Sequence, residues 1–470
     1  MYLFGYQFSP LWTDWLVYLL VFFGLAFFFY ARRHEHLLRP WRQVVRRPLA
    51  MSAAMVLIVY VLIGLADSFH VREQRDSGNN SNDPVFSSEV VSVLDIILTT
   101  LRSQQEKTYS APFATNSYAK ETIELPDGSI VREFPRLVYG GAHLDDISQR
   151  VPDILSKVAR AVIKALLVLL LAIALLSYFL SRKYSNNYRQ QLSLLKSGAT
   201  DVPWRTLLLT GFVITFVCLC LSSLAPYYHV LGTDKVGQDV LYLSLKSIRT
   251  GLVIGSLTTL FVLPFALVLG IMAGYFRGRV DDVIQYIYTT LSSIPGVLLI
   301  AASILMIDVY IQNNADQFST IAERADARLL FLCLILGVTG WVGLCRLLRG
   351  EALKLREIDY IQASQAFGVS HTRILSRHIL PNVMHIVLIT LVLDFSGLVL
   401  AEAVLSYIGI GVDPSMISWG NMINGARLEM AREPVVWWSL VAAFIFMFLL
   451  VLCANLFSDA VRDAFDPRAY

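Results

Sequence analysis

Side chains able to do covalent chemistry are scarce in this chain, and none stands in a catalytic spacing. His371, His378 and His385 recur at seven-residue intervals, two helical turns apart, which would put three metal ligands on one face. Pro381 interrupts such a helix, so no metal site is expected there. There is no His-Glu-x-x-His, no Cys-x-x-Cys and no Gly-x-Ser-x-Gly. No glycine precedes a lysine, so a Gly-x4-Gly-Lys phosphate loop is absent, and any ATP-driven work is expected to use a separate subunit. The five cysteines, Cys218, Cys220, Cys333, Cys345 and Cys453, lie inside apolar runs, where thiols act as small buried hydrophobes. Glu402 and Asp394 are ionisable groups within such runs, costly in hydrocarbon unless they face the interior of a bundle or water. Glu402 therefore reads as a pathway-facing or helix-pinning residue, the alternative being a group simply solvated at the interface. What remains is non-covalent work: recognition and the transmission of movement.

Two regions carry residue patterns suited to that work. Residues 351–382 form a basic loop in which a helical stretch through Ile361, Ala363, Ala366 and Phe367 meets Gly368. A second stretch reaches Arg377-His378-Ile379-Leu380-Pro381. A glycine stop followed by a helix ended by proline predicts two short helices joined by a tight turn, with apolar and small residues free to enter a groove on a soluble partner. Elsewhere, 229–246 (His229, Gly232, Thr233, Asp234, Gly237, Asp239, then Val240, Leu241 and Leu243) reads as an amphipathic outer element. The run Glu402-Ala403-Val404-Leu405-Ser406-Tyr407-Ile408-Gly409-Ile410-Gly411 with Pro414 predicts that the chain leaves a helix at Gly409, making 406–432 a surface-lying or re-entrant segment that carries Trp419.

The elements that must position these residues are membrane helices. The 470 residues are 56% hydrophobic and only 16% charged, with a mean hydropathy of +0.57; roughly 25% charged would be ordinary for a soluble protein. Runs of about 20 apolar residues, enough to cross a bilayer, fall near 12–31, 49–66, 158–180, 205–226, 248–273, 283–306, 328–348, 384–405 and 435–457. Pro264 and Pro295 lie within two of them, as hinges or as plain packing kinks. The first run precedes its arginines (Arg32, Arg33, Arg39, Arg42, Arg46, Arg47) instead of following them, so it is expected to be retained and not cleaved. Placing that basic loop in the cytoplasm puts every other short basic loop there too. It puts the amino end and 67–157 outside and the carboxyl end inside. The charge of +3, with no basic patch among aromatics, is too small to imply nucleic-acid binding, and no nucleic-acid partner is expected.

Four parts are expected. Residues 1–66 form a membrane hairpin, 67–157 a polar extracytoplasmic domain, 158–203 a third span with a cytoplasmic linker, and 204–470 a six-span core with its loop at 349–381. Within the second, the Ser/Asn/Asp-rich 76–84 opens the domain, 90–101 is apolar enough for a short helix, and 122–131 alternates about Asp127-Gly128 as a hairpin does. Residues 151–164 are amphipathic and lead into the third span.

The loop resembles the EAA–glycine–leucine-proline coupling loop of ABC importer permeases, with Gln362-Ala363-Ser364 standing where that family has Glu-Ala-Ala and Gly368, Leu380 and Pro381 retained. His229-Val-Leu-Gly232-Thr233-Asp234-Lys-Val-Gly237-Gln238-Asp239 is similar to a His-x-Leu-Gly-Thr-Asp-x-x-Gly-Arg-Asp stretch of the C-type subunits of dipeptide and oligopeptide importers. So are Gly270-Ile-Met-Ala273-Gly274-Tyr275, the run from Glu402 to Gly411, Ser418-Trp419-Gly420-Asn421-Met422 and the closing 459–468. The resemblance covers about 229–468 of the sequence and leaves 1–200 outside it.

It implies an all-α polytopic fold, a type I ABC importer permease core of six helices preceded by three extra transmembrane helices and an extracytoplasmic insert. It further implies residence in a bacterial inner membrane and transport of peptides or similar solutes. The implied partners are a homologous B-type permease, two ABC ATPase subunits that bind the ATP, and an extracytoplasmic substrate-binding protein, with no cofactor in this chain. Asp359, Tyr360, Gln362, Ala363, Ser364, Ala366, Phe367, Gly368, Arg373, His378, Leu380 and Pro381 would contact the ATPase. Gly232, Thr233, Asp234, Gly237, Asp239, Trp419, Gly420 and Asn421 would form the outer gate or docking surface, and Glu402 would lie on the translocation path. A membrane receptor with an outer sensing domain and an ion-driven secondary transporter are the competing classes. The first wants a cytoplasmic signalling domain and the second wants repeats and several intramembrane charges, none of which the sequence shows.

Overall fold

The computed structural model of the chain describes residues 2–3, 6–75, 85–124, 130–184, 188–198, 200–318 and 320–465. The polar stretch 76–84, the Asp127-Gly128 turn and the closing residues from Asp466 lie outside that set. Helices dominate because most of the chain is long apolar runs, whose backbone polar groups find partners within a helix and not in lipid.

The first part folds as two short strands, β1 (Tyr2–Leu3) and β2 (Tyr6–Phe8), then α1 (Trp12–Arg33), α2 (Glu35–Arg46) and α3 (Pro48–Ser68). Strands β3 (His70–Arg75) and β4 (Val85–Ser92) join β1 and β2 in one antiparallel sheet ordered β1-β2-β3-β4. The pairing of Gln7 with Arg72 places the amino-terminal strands at the same end of the helices as the insert. Two short helices follow, α4 (Val93–Ile97), capped by Ser92 and Asp95, and α5 (Thr99–Ser103). The expected helix over 90–101 thus begins three residues later, because Val90, Val91 and Ser92 pair across to β3. The expected hairpin forms, with β5 (Glu121–Glu124) pairing β6 (Ile130–Glu133).

From α6 (Arg150–Tyr184) the amphipathic lead and the third span are one helix; α7 (Tyr188–Ser197) and α8 (Trp204–Leu224) complete the extension and open the core. The core continues with α9 (Val240–Phe276), α10 (Gly278–Ser293), α11 (Gly296–Asn313), α12 (Ile321–Gly340) and α13 (Val342–Arg356). It closes with α14 (Asp359–Ala366), α15 (His371–Ile374), α16 (Leu380–Ile408), α17 (Trp419–Glu429) and α18 (Trp438–Phe465). Among the described residues, nine helical segments are long and apolar enough to cross a membrane.

Three boundary expectations change. The run 283–306 is two helices, since Pro295 cannot donate to the ladder and caps α11 instead of kinking a span. Residues 240–246 are the first turns of α9, not part of a separate outer element. Pro381 does not end a helix. Residues Leu375–Ile379 form a π-helical segment just before it, a widened turn that accommodates the ring, and α16 runs on from there.

Helix α9 is the central post, packed by α3, α12, α13 and α16. One apolar cluster (Leu241, Ile248, Val399, Trp419, Trp438, Leu450) fills the insert end. Another (Ala273, Leu348, Ile361, Ile374, Ile379, Val383) fills the end carrying residues 357–381, here called the loop end.

Candidate functional site

At the loop end, Ile361, Ile374 and Ile379 are fully buried and fix the short helices to the ends of α9 and α13. Ile361 is therefore an anchor and not, as its apolar character predicted, part of a face offered to a partner. The exposed residues of this loop include Tyr360, Gln362, Ala363, Ala366, Phe367 and Gly368, with Arg373 and Pro381 after them. Phe367 is 87% exposed at the tip. Ile358 and Tyr360, also exposed, add to the apolar surface of this loop.

The tip holds its shape because Gly368 sits at φ +73, letting Gly368 N–H reach the Gln365 carbonyl (3.0 Å) and Val369 N–H the Ser364 carbonyl (3.1 Å). No side chain approaches that glycine, so its requirement is purely of the backbone. Tyr275 at the end of α9 ties the two short helices together. Its hydroxyl contacts His371 Nδ1 (2.8 Å) and accepts from Gln365 Nε2 (3.2 Å), while its carbonyl accepts from Arg356 Nη1 (2.9 Å). His378 lies beside the Tyr360 ring, and Asn382 Nδ2 donates to the Tyr360 hydroxyl (3.1 Å). Arg349 of α13 grips Asp281 of α10 with two hydrogen bonds of 2.6 and 2.7 Å. These contacts tie the two short helices to α9, α13 and α16, and α13 to α10. The three evenly spaced histidines have separate partners: Tyr275, the Tyr360 ring, and for His385 the Asn382 carbonyl.

The insert end differs from expectation. Of the residues expected to face a docking protein, Gly232, Thr233 and Gly237 are covered by the chain's own insert. Thr233 Oγ1 accepts from Ser110 N–H (2.6 Å) and donates to the Thr108 carbonyl (2.9 Å), and its N–H donates to the Ser110 carbonyl (3.0 Å). Glu106 N–H donates to the Gly237 carbonyl (2.9 Å), and Phe113 N–H to that of His229 (3.0 Å). Gly237, at φ +77, lies so close to the Glu106 backbone that a Cβ would collide with it. Gly232 is buried at this seat, and Asp234 accepts from Val236 and Gln238 N–H, shaping its own turn.

At the centre is His229, 1% exposed. Its Nδ1 is 2.8 Å from Asp239 Oδ2, and its Nε2 stands 3.4 Å from Glu106 Oε1, a charge contact more than a formed hydrogen bond. Asp239 also caps α9 through Leu241 N–H (2.8 Å), and Glu106 accepts from Val138, Tyr139 and Gly140 N–H. Burial disfavours a charged imidazole, but Asp239 and Glu106 outweigh it and raise the His229 pKa to about 9. Burial likewise works against the Glu106 carboxylate, yet His229 and the three backbone donors pull it down to about 2.

Trp419 is also no outward-facing aromatic. It is 1% exposed, its ring lies over Gly251 of α9, and Nε1 donates to the Ser244 carbonyl (3.1 Å). Gly420 is buried against Ser406, and Asn421 Nδ2 holds the turn by donating to the Asp413 and Met416 carbonyls (2.8 Å each). Glu402 is buried and accepts from Ser406 Oγ (2.8 Å), which in turn accepts from Val412 N–H (3.3 Å). Burial excludes a group simply solvated at the interface, and these bonds tie Glu402 to α16 and the turn that follows it.

A further charged cluster escapes a reading of the sequence in windows. Arg249 of α9 lies 2.6 Å from Asp14 of α1 and 3.5 Å from Asp326 of α12, all three buried. Thr13 bridges to Asp326, and His70 Nδ1 is 2.7 Å from Asp14. Each charge sits near the end of an apolar run and passes singly for a boundary residue. Together they lock the added helix α1 to the core.

Comparison with known proteins shows what the chain is similar to. Residues 266–469 match the model of the binding-protein-dependent transport system inner membrane component family. The oligopeptide transport system permease protein OppC of Haemophilus influenzae is 28% identical over 281 residues, 56% of this chain and 83% of that protein. The OppC of Mycobacterium tuberculosis (strain H37Rv) is 33% identical over 241 residues, 51% of this chain and 76% of that one. A solved inward-facing structure of the MetNI methionine ABC transporter covers 47% of the chain at 18% identity, with a TM-score of 0.35.

Proposed function

Since the chain belongs to the binding-protein-dependent inner membrane permease family, among the C-type permeases of peptide ABC importers, we propose that residues 359–381 pass the closure of a separate ATPase to α9, α13 and α16. Phe367, with Tyr360 and Ala363 beside it, enters a cleft on that ATPase. Gly368 sets the angle of the tip, and Tyr275 carries the displacement inward. The single observation behind this reading is an 87% exposed phenylalanine on a loop otherwise anchored by fully buried isoleucines. The partners are a homologous B-type permease, two ATP-binding ATPase subunits and an extracytoplasmic substrate-binding protein, the chain itself holding no cofactor. The basic loop end faces the cytoplasm of a bacterial cell, and the insert and both amino-terminal strands face outward.

The outer motif has a second task here. Because His229, Gly232, Thr233 and Gly237 hold the insert, a binding protein meets the exposed edge of the insert and not Trp419. The cargo is a peptide or a similar small solute, passed inward between this chain and its B-type counterpart.

The test is uptake of a labelled peptide mixture by cells carrying Phe367→Ala or Gly368→Val, with co-purification of the ATPase measured in parallel. Phe367→Ala is expected to weaken ATPase retention and reduce uptake at least tenfold. Uptake at the normal rate by both variants, at normal membrane levels, would discard the coupling role.

A further inference from the structure

The extension packs against the core so as to leave a groove of about 510 Å³ at the loop end, between α6, α7 and α8. Its walls are apolar: Leu169 and Ile173 from α6, Leu192 and Leu195 from α7, Leu208 and Leu209 from α8. Its rim carries two cations, Lys196 and Arg205. Neither has a carboxylate partner within 4.0 Å among the described residues. The one acid between 181 and 205, Asp201, lies 3.7 Å from Arg46 instead.

The levels of these residues agree with the leaflet. Arg205 follows Trp204, the first residue of α8, so it sits at the membrane surface, where interfacial aromatics and cations belong. Leu208 and Leu209 are three and four residues on, roughly 5 Å deeper at a rise of about 1.5 Å per residue. Helix α7 begins just past the described end of α6 and sets Lys196 on the same groove as Arg205, while Leu195, on the same helix, is buried. Two unpaired cations over a crevice lined by aliphatic side chains match one kind of molecule: a negatively charged headgroup joined to a hydrocarbon chain.

We propose that this groove binds one anionic phospholipid of the leaflet on the basic side, its phosphate between Lys196 and Arg205 and an acyl chain along Leu169, Ile173, Leu208 and Leu209. The lipid would bridge the extension to the core, where α6, α7 and α8 leave a gap that protein does not fill. Two leaflet cations, each contributing about fivefold, should give the site a preference for anionic over zwitterionic lipid of about twenty-five-fold.

The full chain, purified in mild detergent with whatever subunits stay bound, is incubated with equimolar phosphatidylglycerol and phosphatidylcholine of the same acyl composition. Retained lipids are then read by native mass spectrometry. The wild type is expected to keep one phosphatidylglycerol, and Lys196→Ala/Arg205→Ala to lose the preference. Arg189→Ala, which removes an exposed cation of α7 that does not line the groove, should retain it. Lys196→Arg, keeping the charge, separates loss of the site from loss of fold, and Ile173→Trp, filling the groove beneath intact cations, should abolish retention. Equal retention of the two lipids by the wild type, no retained lipid because another polypeptide fills the groove, or undiminished preference in the double variant would each overturn the proposal.

Discussion

Replacing His229 by Asn tests whether the insert is held by charge. In the wild type, the imidazole stands between two buried carboxylates, Asp239 at 2.8 Å and Glu106 at 3.4 Å. Its pKa rises from 6.5 to about 9 in the folded protein. Roughly 2.5 units at about 1.4 kcal/mol each is on the order of 3 kcal/mol of stabilisation from the charged ring. Removing the cation also leaves two carboxylates facing each other out of water, so a loss of about 3–5 kcal/mol is expected at this seat. Because the folded pKa lies above the unfolded one, His229 contributes fully below pH 6.5, and its contribution disappears as pH rises through about 9. Glu106 behaves oppositely. With its pKa lowered from 4.5 to about 2, it contributes above pH 4.5 and is lost as pH falls through 2. The seat is therefore tightest between about pH 4.5 and 6.5. Hydrogen–deuterium exchange of 104–118 and 137–141, corrected for intrinsic rates, reads the seat directly. At pH 6, His229→Asn should raise exchange there at least a hundredfold and leave α9 and α16 nearly unchanged. Between pH 6.5 and 9, the wild type should lose protection while the variant stays flat. Equal protection in the two proteins at pH 6, or the same pH slope in both, would refute the charge argument.

Arg249→Met should lower thermal stability by about 3–5 kcal/mol in a detergent melt, since it strands the Asp14 and Asp326 carboxylates in a buried site. Adding Asp14→Asn and Asp326→Asn should recover part of that loss, and no recovery would mean that charge is not its source. Trp419→Ala should cost about 3–5 kcal/mol by opening a cavity over α9; a variant as stable as the wild type, yet unable to bind the substrate-binding protein, would restore the docking role. Gly368→Val should strain the tip by about 1–2 kcal/mol and cut uptake, while Gly368→Asn, which tolerates positive φ, should retain most of it. Equal defects would show that something other than backbone conformation matters at that position.

The count of spans follows from composition alone, because a bilayer demands about 20 apolar residues wherever the chain crosses it. The tip at Gly368 is legible in the sequence for the same kind of reason: a glycine at a helix stop has few other uses. The motifs over 229–468 point to the family. Other features need the tertiary structure. Whether Ile361 is an anchor or a contact depends on which helix face meets α9 and α13, and an apolar residue suits either. Trp419 has the composition of an interfacial aromatic, and only the close approach of α17 to Gly251 buries it. The cluster of Arg249, Asp14 and Asp326 joins three helices far apart along the chain, a pairing no local pattern can encode. The same holds for the outer motif. His229 and Asp239 are neighbours in the loop, but Glu106 arrives from an insert more than a hundred residues earlier, and its arrival turns a surface motif into a buried seat. Local preferences fix which segments are helices; which charges and faces end up buried is decided by what packs on them.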